Sequence, residues 1–217
     1  MSFFPTPQTG FSFPQPLSEK YRPREISGFI GLEKQRKILS AFCKRPVPCA
    51  WLFVGASGTG KSTLALAMAK ELNAELHHIP SQNCNVQTLN ETVRTCWYAP
   101  MMGSPFHFVL VDEADQMSNA AQLALLSKLD STDPPPNTIF VFTANDTERL
   151  EKRFLSRCRV LEFSTYGMRS PLAGLLAEVW EKETGKPSAL NWELIAKECN
   201  GNVREALSKL ELELLAQ

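Results

Sequence analysis

Residues 55–63 read GASGTGKST and fit the pattern G-x-x-x-x-G-K-[ST], and this stretch constrains the fold more than any other. The apolar run at residues 50–54 is typical of a buried parallel strand, and residues 64–72 have apolar side chains at helical spacing. Glycines let backbone N–H groups close around phosphate oxygens, and a helix N-terminus adds partial positive charge. A strand, a glycine-rich turn and a helix start in this order therefore predict a phosphate-binding loop.

Individual residues of this phosphate loop have distinct expected roles. Lys61 would neutralise the outer phosphates, and the hydroxyl of Ser62 would bind a magnesium ion. Backbone contacts to the nucleotide are expected from the rest of the motif, at Gly55, Gly58, Thr59, Gly60 and Thr63. A surface turn would also explain a short glycine run, but it would not explain this spacing between a strand and a helix.

Two acidic residues, Asp112 and Glu113, directly follow an apolar run at residues 106–111 that predicts another buried strand. Open parallel sheets bind ligands at the carboxyl ends of their strands, so we expect Asp112 to hold magnesium and Glu113 to polarise the attacking water. An acidic helix cap would explain Asp115, but not an apolar strand that leads straight into the pair. Asn145 follows the predicted strand at residues 138–143, where its amide would orient the same water.

Composition limits the classes of protein to which the chain can belong. Its 217 residues are 43% apolar and 21% charged, enough for one substantial core and a small second one. Lys plus Arg equals Asp plus Glu, at 23 each, so any DNA contact must be local and an anionic membrane is not an expected partner. Without a secretion signal or an apolar stretch long enough to span a membrane, the protein is expected to be cytoplasmic.

Cysteine and histidine spacing gives no sign of a metal or redox motif. The six cysteines include no C-x-x-C pair, so neither a zinc knuckle nor a redox site is indicated. His77 and His78 are adjacent on a predicted strand and point to opposite faces, so they are not expected to be ligands.

Three parts are predicted along the chain. Residues 1–18 contain four prolines and four phenylalanines, and both an unstructured arm and a docking segment are compatible with this composition. Residues 19–165 alternate strand and helix patterns and predict an α/β nucleotide-binding domain. Residues 166–217 carry three helical patterns and predict a small helical domain.

The α/β domain begins with a proline-rigidified stretch, residues 19–31, that contains an aromatic residue and two arginines. It is compatible both with a packed lead-in and with a segment that contacts adenine. If it does contact a nucleotide, Tyr21, Arg22, Pro23 and Ile30 are its candidate binding residues. Farther along, residues 149–159 concentrate five basic residues, for which a solvated basic face is the alternative to a functional role.

Six motifs in order resemble the clamp-loader branch of the AAA+ ATPases, which includes replication factor C small subunits and bacterial gamma/tau subunits. They are KYRP at residues 20–23, the phosphate loop, DEAD at 112–115, Asn145, SRC at 156–158 and GNVREAL at 201–207. The resemblance implies the parallel sheet of a P-loop NTPase, flanked by helices and followed by a small helical lid. It also implies ATP and Mg²⁺ as cofactors.

Several residue roles follow from the resemblance alone. Arg157 would be an arginine finger that reaches the ATP site of a neighbouring subunit, and Arg204 would be a second sensor on the lid. Glu113 would be the catalytic base, and Tyr21 to Pro23 would lie beside adenine. Since an arginine finger contributes roughly a thousand-fold or more to hydrolysis, isolated monomers are expected to be poor ATPases.

Three departures limit what the resemblance implies. Clamp-loader subunits usually continue into a helical collar domain, whereas this sequence ends at Gln217, so the ATPase interfaces or another chain would have to replace the collar. The family usually has two arginines after Gln-x-Ala-Leu, but here the helix continues with Leu126, Ser127 and Lys128, which weakens the inference to DNA. The zinc insertion of the bacterial relatives is also missing.

The function predicted from the sequence is hydrolysis of Mg-ATP at subunit interfaces, to remodel a protein–DNA assembly by loading a sliding clamp in DNA replication. The implied partners are further AAA+ subunits, identical or different, together with DNA and a sliding clamp or another replication protein. A helper ATPase of a plasmid, phage or mobile element is one alternative. A non-hydrolysing nucleotide-dependent scaffold and a small-molecule phosphotransferase are others. The presence of Lys61, Glu113 and Arg157 argues against a scaffold, and a phosphotransferase would not need Arg157 or residues 201–207.

Overall fold

The structure is a computed structural model that describes residues 15–80, 83–130, 134–188 and 190–216. Most of the predicted arm at residues 1–18 therefore lies outside the described residues. Its end does not, because Leu17 begins a short helix, α1 (Leu17–Lys20), and is buried among the C-terminal helices. Leu17 was predicted to belong to the arm, but its side chain is part of a hydrophobic core.

Five parallel strands form the sheet at the centre of the α/β region. In chain order they are β1 (Cys49–Gly55), β2 (Glu75–Ile79), β3 (His107–Val111), β4 (Thr138–Ala144) and β5 (Arg159–Phe163). Their order across the sheet is β2-β3-β4-β1-β5, and every neighbouring pair is parallel. The connection after β1 runs across the sheet to β2, whereas the connection after β4 runs in the opposite direction, past β1, to β5. The phosphate loop therefore leaves the sheet at a topological switch point, where such folds bind ligands.

Helices cover both faces of this sheet, as the predicted fold class requires. They are α2 (Glu33–Lys44), α3 (Lys61–Glu71), α4 (Val86–Thr95), α5 (Asn119–Leu129) and the short α6 (Lys152–Leu155). Successive strand residues face opposite sides, so Phe53 packs against α2 and α3 while Leu52 packs against α4 and α5. Because both faces are covered, the central strands are continuously apolar. The α/β fold predicted from the sequence is confirmed.

The remaining helices form what we call the helical region: α7 (Arg169–Thr184), α8 (Trp192–Glu198) and α9 (Val203–Leu215). They share a core around Leu172, Leu176 and Leu210, to which Leu17 of α1 contributes. Asn191 and Asn202 cap α8 and α9 by accepting hydrogen bonds from backbone N–H groups of their first turns. Within the described residues, no helix combines the length and apolar character needed to cross a lipid bilayer.

Candidate functional site

A cavity of about 200 Å³ lies at the carboxyl ends of β1 and β4, between the sheet and the helical region. Most of the residues predicted to bind or act on a nucleotide line it: Tyr21, Arg22, Pro23, Ile30, Gly58, Thr59, Gly60, Lys61, Ser62, Thr63, Glu113, Asn145 and Arg204. Gly55 and Asp112 contact lining residues from behind, and Arg157 lies elsewhere. Segments that are far apart in sequence therefore meet in one cavity.

Lys61 occupies the centre of the phosphate loop. It begins α3, is only 8% exposed, and its Nζ donates to the carbonyl oxygens of Gly55 and Ala56 and, at 3.3 Å, to Oδ1 of Asn145. Burial lowers the pKa of Lys61, and the nearby carboxylates of Asp115, Asp112 and Glu113 oppose this shift. Among the described residues, the hydrogen-bond partners of this buried ammonium group are neutral oxygens, so its charge has no directly bonded counter-ion there and an anionic ligand could supply one.

The backbone of the loop depends on glycine. Gly58 and Gly60 have φ angles of +78° and +92°, a region that residues with a Cβ seldom adopt. The hydroxyl of Thr59 donates to the carbonyl oxygen of Ala56 at 2.8 Å, across the base of the turn. This conformation carries the chain directly from β1 into α3, whose first turn has N–H groups with no partner inside the helix.

Asp112 is the centre of a hydrogen-bond network beside the loop. Its Oδ1 accepts from Oγ of Ser62 at 2.6 Å and from Oγ1 of Thr143 at 2.9 Å. Its Oδ2 accepts from Nε2 of His78 at 2.7 Å. The same hydroxyl of Thr143 accepts from the backbone N–H of Glu113 at 3.1 Å. Thr143 of β4 thus bonds to both Asp112 and Glu113, and Asp112 in turn bonds to Ser62.

Asn145 is held in place by Asp115. Asp115 is 4% exposed, and its Oδ1 accepts from the backbone N–H of Asn145 at 3.2 Å. Glu113, which follows Asp112, has a φ of +53°, an uncommon backbone conformation for a residue other than glycine. The carboxylate of Asp115 therefore fixes the end of β4, and Asn145 Oδ1 is bonded to Lys61.

The stretch that precedes α2, which we call the lead segment (residues 18–32), forms one wall of the cavity. The hydroxyl of Tyr21 donates to the carboxylate of Glu183 on α7, and burial together with this carboxylate raises the pKa of Tyr21 to about 12. Nε of Arg22 donates to Oγ1 of Thr63 on α3 at 3.3 Å. Neighbouring residues of the lead segment thus contact the helical region and the phosphate loop.

Helix α9 closes the opposite side of the cavity. Val203, Arg204 and Leu207 line it, and Asn202 lies against the phosphate loop. A Cβ placed on Gly58 would lie 1.9 Å from Oδ1 of Asn202, so glycine is required here by contact as well as by φ. The side chain of Asn202 also caps α9, which fixes its position.

Arg157 lies outside this cavity, in a groove between β1, β4 and the end of α5. Its Nη2 donates to Oδ2 of Asp130 at 2.8 Å, and its Nη1 donates to the carbonyl oxygen of Arg153 at 2.9 Å. Within its own chain it therefore does not reach the nucleotide-binding loop. A role in the site of a neighbouring subunit stays a prediction.

Four residues of this site were not identified from the sequence: Thr143, His78, Asn202 and Phe29. Thr143 and His78 bond to Asp112, and Asn202 and Phe29 pack against glycines of the phosphate loop. A weak signal existed for Asn202, inside the GNVREAL motif, and for Thr143, at the end of a predicted strand. Neither His78 nor Phe29 lies in a local pattern that would single it out.

Comparison with known proteins connects this geometry with a family. The family model described as "ATPase family associated with various cellular activities (AAA)" matches residues 51–166. Replication factor C small subunit 1 of Pyrobaculum arsenaticum is 33% identical over 204 residues, which cover 89% of this chain and 60% of the relative. DNA polymerase III subunit gamma of Buchnera aphidicola is 26% identical over 223 residues, which cover 91% of this chain and 60% of the relative. The chain therefore spans about 60% of the length of these curated relatives.

Solved structures of Thermotoga maritima RuvB share the fold. The structure described as a Holliday junction branch migration motor has a TM-score of 0.71 and 23% identity, and the match covers 93% of this chain and 68% of that chain. A point mutant of the same protein has a TM-score of 0.72 and 20% identity over 91% of this chain and 68% of that chain. At this level of identity the likeness concerns the fold alone.

Proposed function

The chain belongs to the ATPase family associated with various cellular activities, and on that premise we propose that it binds and hydrolyses Mg-ATP in the cavity described above. One observation carries the proposal: Lys61, Glu113 and Arg204, from three distant parts of the chain, line the same cavity. A phosphate loop alone would serve many nucleotide-binding proteins. An acid at a strand end and an arginine on a helical cover suit one that also hydrolyses the terminal phosphate.

The proposed pose of the nucleotide follows from the chemistry of the walls. The phosphates would bind along the loop, where the N–H groups at the start of α3 and the Lys61 ammonium are available to them. The base would lie towards Tyr21, Pro23 and Ile30 of the lead segment, which line the cavity. Arg204, at the start of α9, would contact the phosphates from the helical side.

The residues beside the loop suit a magnesium ion. Oγ of Ser62 and Oδ1 of Asp112 are 2.6 Å apart, and hydroxyl and carboxylate oxygens are ligands that Mg²⁺ prefers. Ser62 and Asp112 would hold the ion together with phosphate oxygens of the nucleotide. When bound, magnesium neutralises negative charge on the phosphates.

Hydrolysis would use residues at the ends of β3 and β4. Glu113 would accept a proton from the attacking water, and Asn145 would orient that water against the terminal phosphate. Thr143 and Asp115 would act as positioning residues, since they hold the backbone N–H groups of Glu113 and Asn145. The exposed carboxylate of Glu113 is compatible with a role that requires access to water.

We propose further that the chain works as a subunit of a clamp-loader-like assembly acting on DNA in replication. Its relatives, a replication factor C small subunit and a DNA polymerase III subunit, support this proposal. The position of Arg157 away from its own cavity suits an arginine finger that completes the site of a neighbouring subunit. The partners in this proposal are other AAA+ subunits, DNA and a sliding clamp.

Glu113→Gln tests the proposed chemistry. The amide keeps the size of the side chain but cannot take the proton, so we expect ATP to bind with unchanged affinity while turnover falls by about 100-fold or more. Glu148→Gln, which removes an exposed acid from a nearby loop outside the cavity, is the matched control and should behave like the wild type. Binding is measured with a fluorescent ATP analogue and turnover by phosphate release. Full turnover in Glu113→Gln would contradict the assignment of the base.

A second measurement separates the clamp-loader proposal from the helper-ATPase alternative. ATPase rates are compared without DNA, with primed DNA, and with primed DNA plus a sliding clamp from the same source. Stimulation that requires the clamp would support clamp loading. Stimulation by DNA alone, with no further effect of the clamp, would favour the helper ATPase.

A further inference from the structure

Three potential metal ligands lie together at the end of the sheet opposite the nucleotide cavity. They are His77 on β2, Cys96 at the end of α4 and His107 at the start of β3, and their ligand atoms all lie within 4.8 Å of one another. His107 begins the strand that Asp112 follows, and the rise of an extended strand puts His107 and Val111 roughly 13 Å apart. The cluster is therefore separate from the proposed magnesium site.

The cluster is buried. Cys96 is fully buried and His107 is 1% exposed, whereas the side chain of His77 is 16% exposed and leaves a path from solvent. Nε2 of His77 and Nδ1 of His107 are 2.9 Å apart. His77 and His78 contact different partners, since His77 lies beside His107 and His78 bonds to Asp112. Cys96 and His107 lie far from His77 in the sequence, so local spacing did not indicate the cluster.

A hydrogen bond on the far side of His107 sets the state of its ring. Nε2 of His107 lies 2.9 Å from the carbonyl oxygen of Tyr98, and since a carbonyl only accepts, Nε2 must carry the proton. In the neutral ring, Nδ1 then carries the lone pair, which accepts a hydrogen bond from Nε2 of His77 and would be available to a metal ion once that proton moves. Metal-binding histidines are usually held in this way, by a carbonyl that accepts from the second ring nitrogen.

Glu75 supplies an acid at the edge of the cluster. Its Oε2 lies 3.5 Å from Nδ1 of His107 and accepts from the backbone N–H of Met101 at 2.6 Å, while its Oε1 lies 4.0 Å from Nε2 of His77. Oε2 is thus anchored by the Met101 N–H group beside His107, and Oε1 lies on the side of His77. A carboxylate and a thiolate would together balance the charge of a divalent ion, which lowers the cost of burying it.

We propose that His77, Cys96, His107 and Glu75 form a structural site for a zinc-like divalent transition metal ion. Imidazole, thiolate and carboxylate are each ligands that zinc takes in proteins, and His77, Cys96 and His107 already lie within 4.8 Å of one another, with Glu75 beside them. On binding, the Cys96 thiol loses its proton to solvent and a metal–sulfur bond forms. The His77 ring moves its proton from Nε2 to Nδ1, so that Nε2 can bind the metal, and no oxidant or reductant is needed.

A metal ion in this site would restrict the motion of the loop between α4 and β3. Cys96 and the Tyr98 carbonyl lie at the start of this loop, the Met101 N–H lies within it, and His107 follows it. The loop carries Trp97, Tyr98 and Met101, which are large and exposed. A metal ion would hold these side chains against the edge of the sheet.

Cobalt(II) replaces zinc and reports on the ligands, so it is the probe we choose. The full chain is freed of metal by dialysis against a chelator and titrated with Co(II), and the absorption spectrum is followed. We expect one Co(II) per chain, with visible bands of tetrahedral cobalt and an ultraviolet band of thiolate-to-cobalt charge transfer. Zn(II) should displace the cobalt and raise the melting temperature. The proposed magnesium site contains no thiolate, so it cannot produce the charge-transfer band.

Two variants and one matched control locate the site. Cys96→Ser should lose the charge-transfer band and weaken Co(II) binding by about 100-fold or more, since changes to outer partners alone cost 10–100-fold. His77→Gln, at the more exposed ligand, should weaken binding with less effect on folding. Cys84→Ser is the control, because Cys84 is buried in the same apolar cluster as Cys96 but is not among these ligands. Circular dichroism checks that each variant is folded.

Two outcomes would overturn the proposal. One is the absence of a charge-transfer band when folded wild-type chain is titrated with Co(II). The other is a band that persists in both Cys96→Ser and His77→Gln, or that Cys84→Ser removes, which would place the thiolate elsewhere. The first outcome would leave the cluster as a hydrogen-bonded histidine pair. Neither outcome bears on the proposed ATPase activity.

Discussion

Lys61 illustrates how a single residue of this chain links fold and function. Its stem is buried in the loop, and its ammonium group bonds to two carbonyl oxygens and to Asn145. Burial lowers its pKa while nearby acids oppose the shift, so the surroundings partly compensate the cost of a buried charge. A phosphate group would complete this compensation.

We therefore expect Lys61→Ala to weaken ATP binding by at least about 30-fold, because removing one partner of a buried charge pair costs about 2–5 kcal/mol. Lys70→Ala is the matched control, since Lys70 is exposed on the same helix. Affinity is measured by titration with a fluorescent ATP analogue. Equal affinities in the two variants would show that Lys61 does not contact the nucleotide.

At the scale of elements, the phosphate loop and α9 meet at Gly58 and Asn202. Gly58 has a φ of +78°, and a Cβ there would clash with Asn202, the residue that caps α9. The conformation of the loop and the position of α9 are therefore coupled through one pair of residues. A substitution at Gly58 would therefore cost free energy in two ways: through the φ angle of the loop and through the contact with Asn202.

Gly58→Ala should lower the free energy of unfolding by about 1–2 kcal/mol through its φ angle, and it should also weaken ATP binding because α9 is displaced. Gly167→Ala separates the two costs, since Gly167 has a φ of +75° with no atom within 4 Å of the position of a Cβ. The control should show the loss of stability with little change in ATP affinity. Urea unfolding and nucleotide titration measure the two effects. Identical behaviour of both variants would argue against the junction.

Much of this architecture could be predicted from the sequence, because local patterns specify it. The phosphate loop, the apolar strands and the acids that follow β3 each lie within a few consecutive residues. What could not be predicted are contacts that strand ends make with other segments, such as Thr143 with Asp112 and His107 with Tyr98, because they depend on strand register and on the path of the loops. Leu17 was assigned to the arm for a similar reason: its burial depends on helices that lie far along the chain.

At the scale of the whole molecule, the position of Arg157 makes a prediction about assembly. It pairs with Asp130 away from its own cavity, so any contribution to hydrolysis must come through a second chain. The specific ATPase activity should then rise steeply with protein concentration.

Arg157→Ala chains should bind ATP normally but turn over about a thousand-fold more slowly. Mixed in excess with wild-type chains, they should suppress the wild-type rate, because mixed interfaces lack the arginine. Arg153→Ala, an exposed arginine of the same short helix, is the control in the mixing experiment. Phosphate release is measured across a range of concentrations and mixing ratios. A rate that is independent of concentration, or full activity of Arg157→Ala, would contradict a shared site.

The lead segment has a consequence for how this molecule would respond to partners. Tyr21 is bonded to the helical region and Arg22 to the first turns of α3, so the two sides of the cavity share one short piece of chain. If bound nucleotide favours one placement of the helical region, thermodynamic linkage requires the reverse effect to be equally large. Consider a partner protein that binds α7 only in that placement. It would raise the affinity for nucleotide by the same factor by which nucleotide raises the affinity for the partner. Nucleotide occupancy of the cavity and the affinity for the partner would then both depend on one equilibrium, between the placements of the helical region.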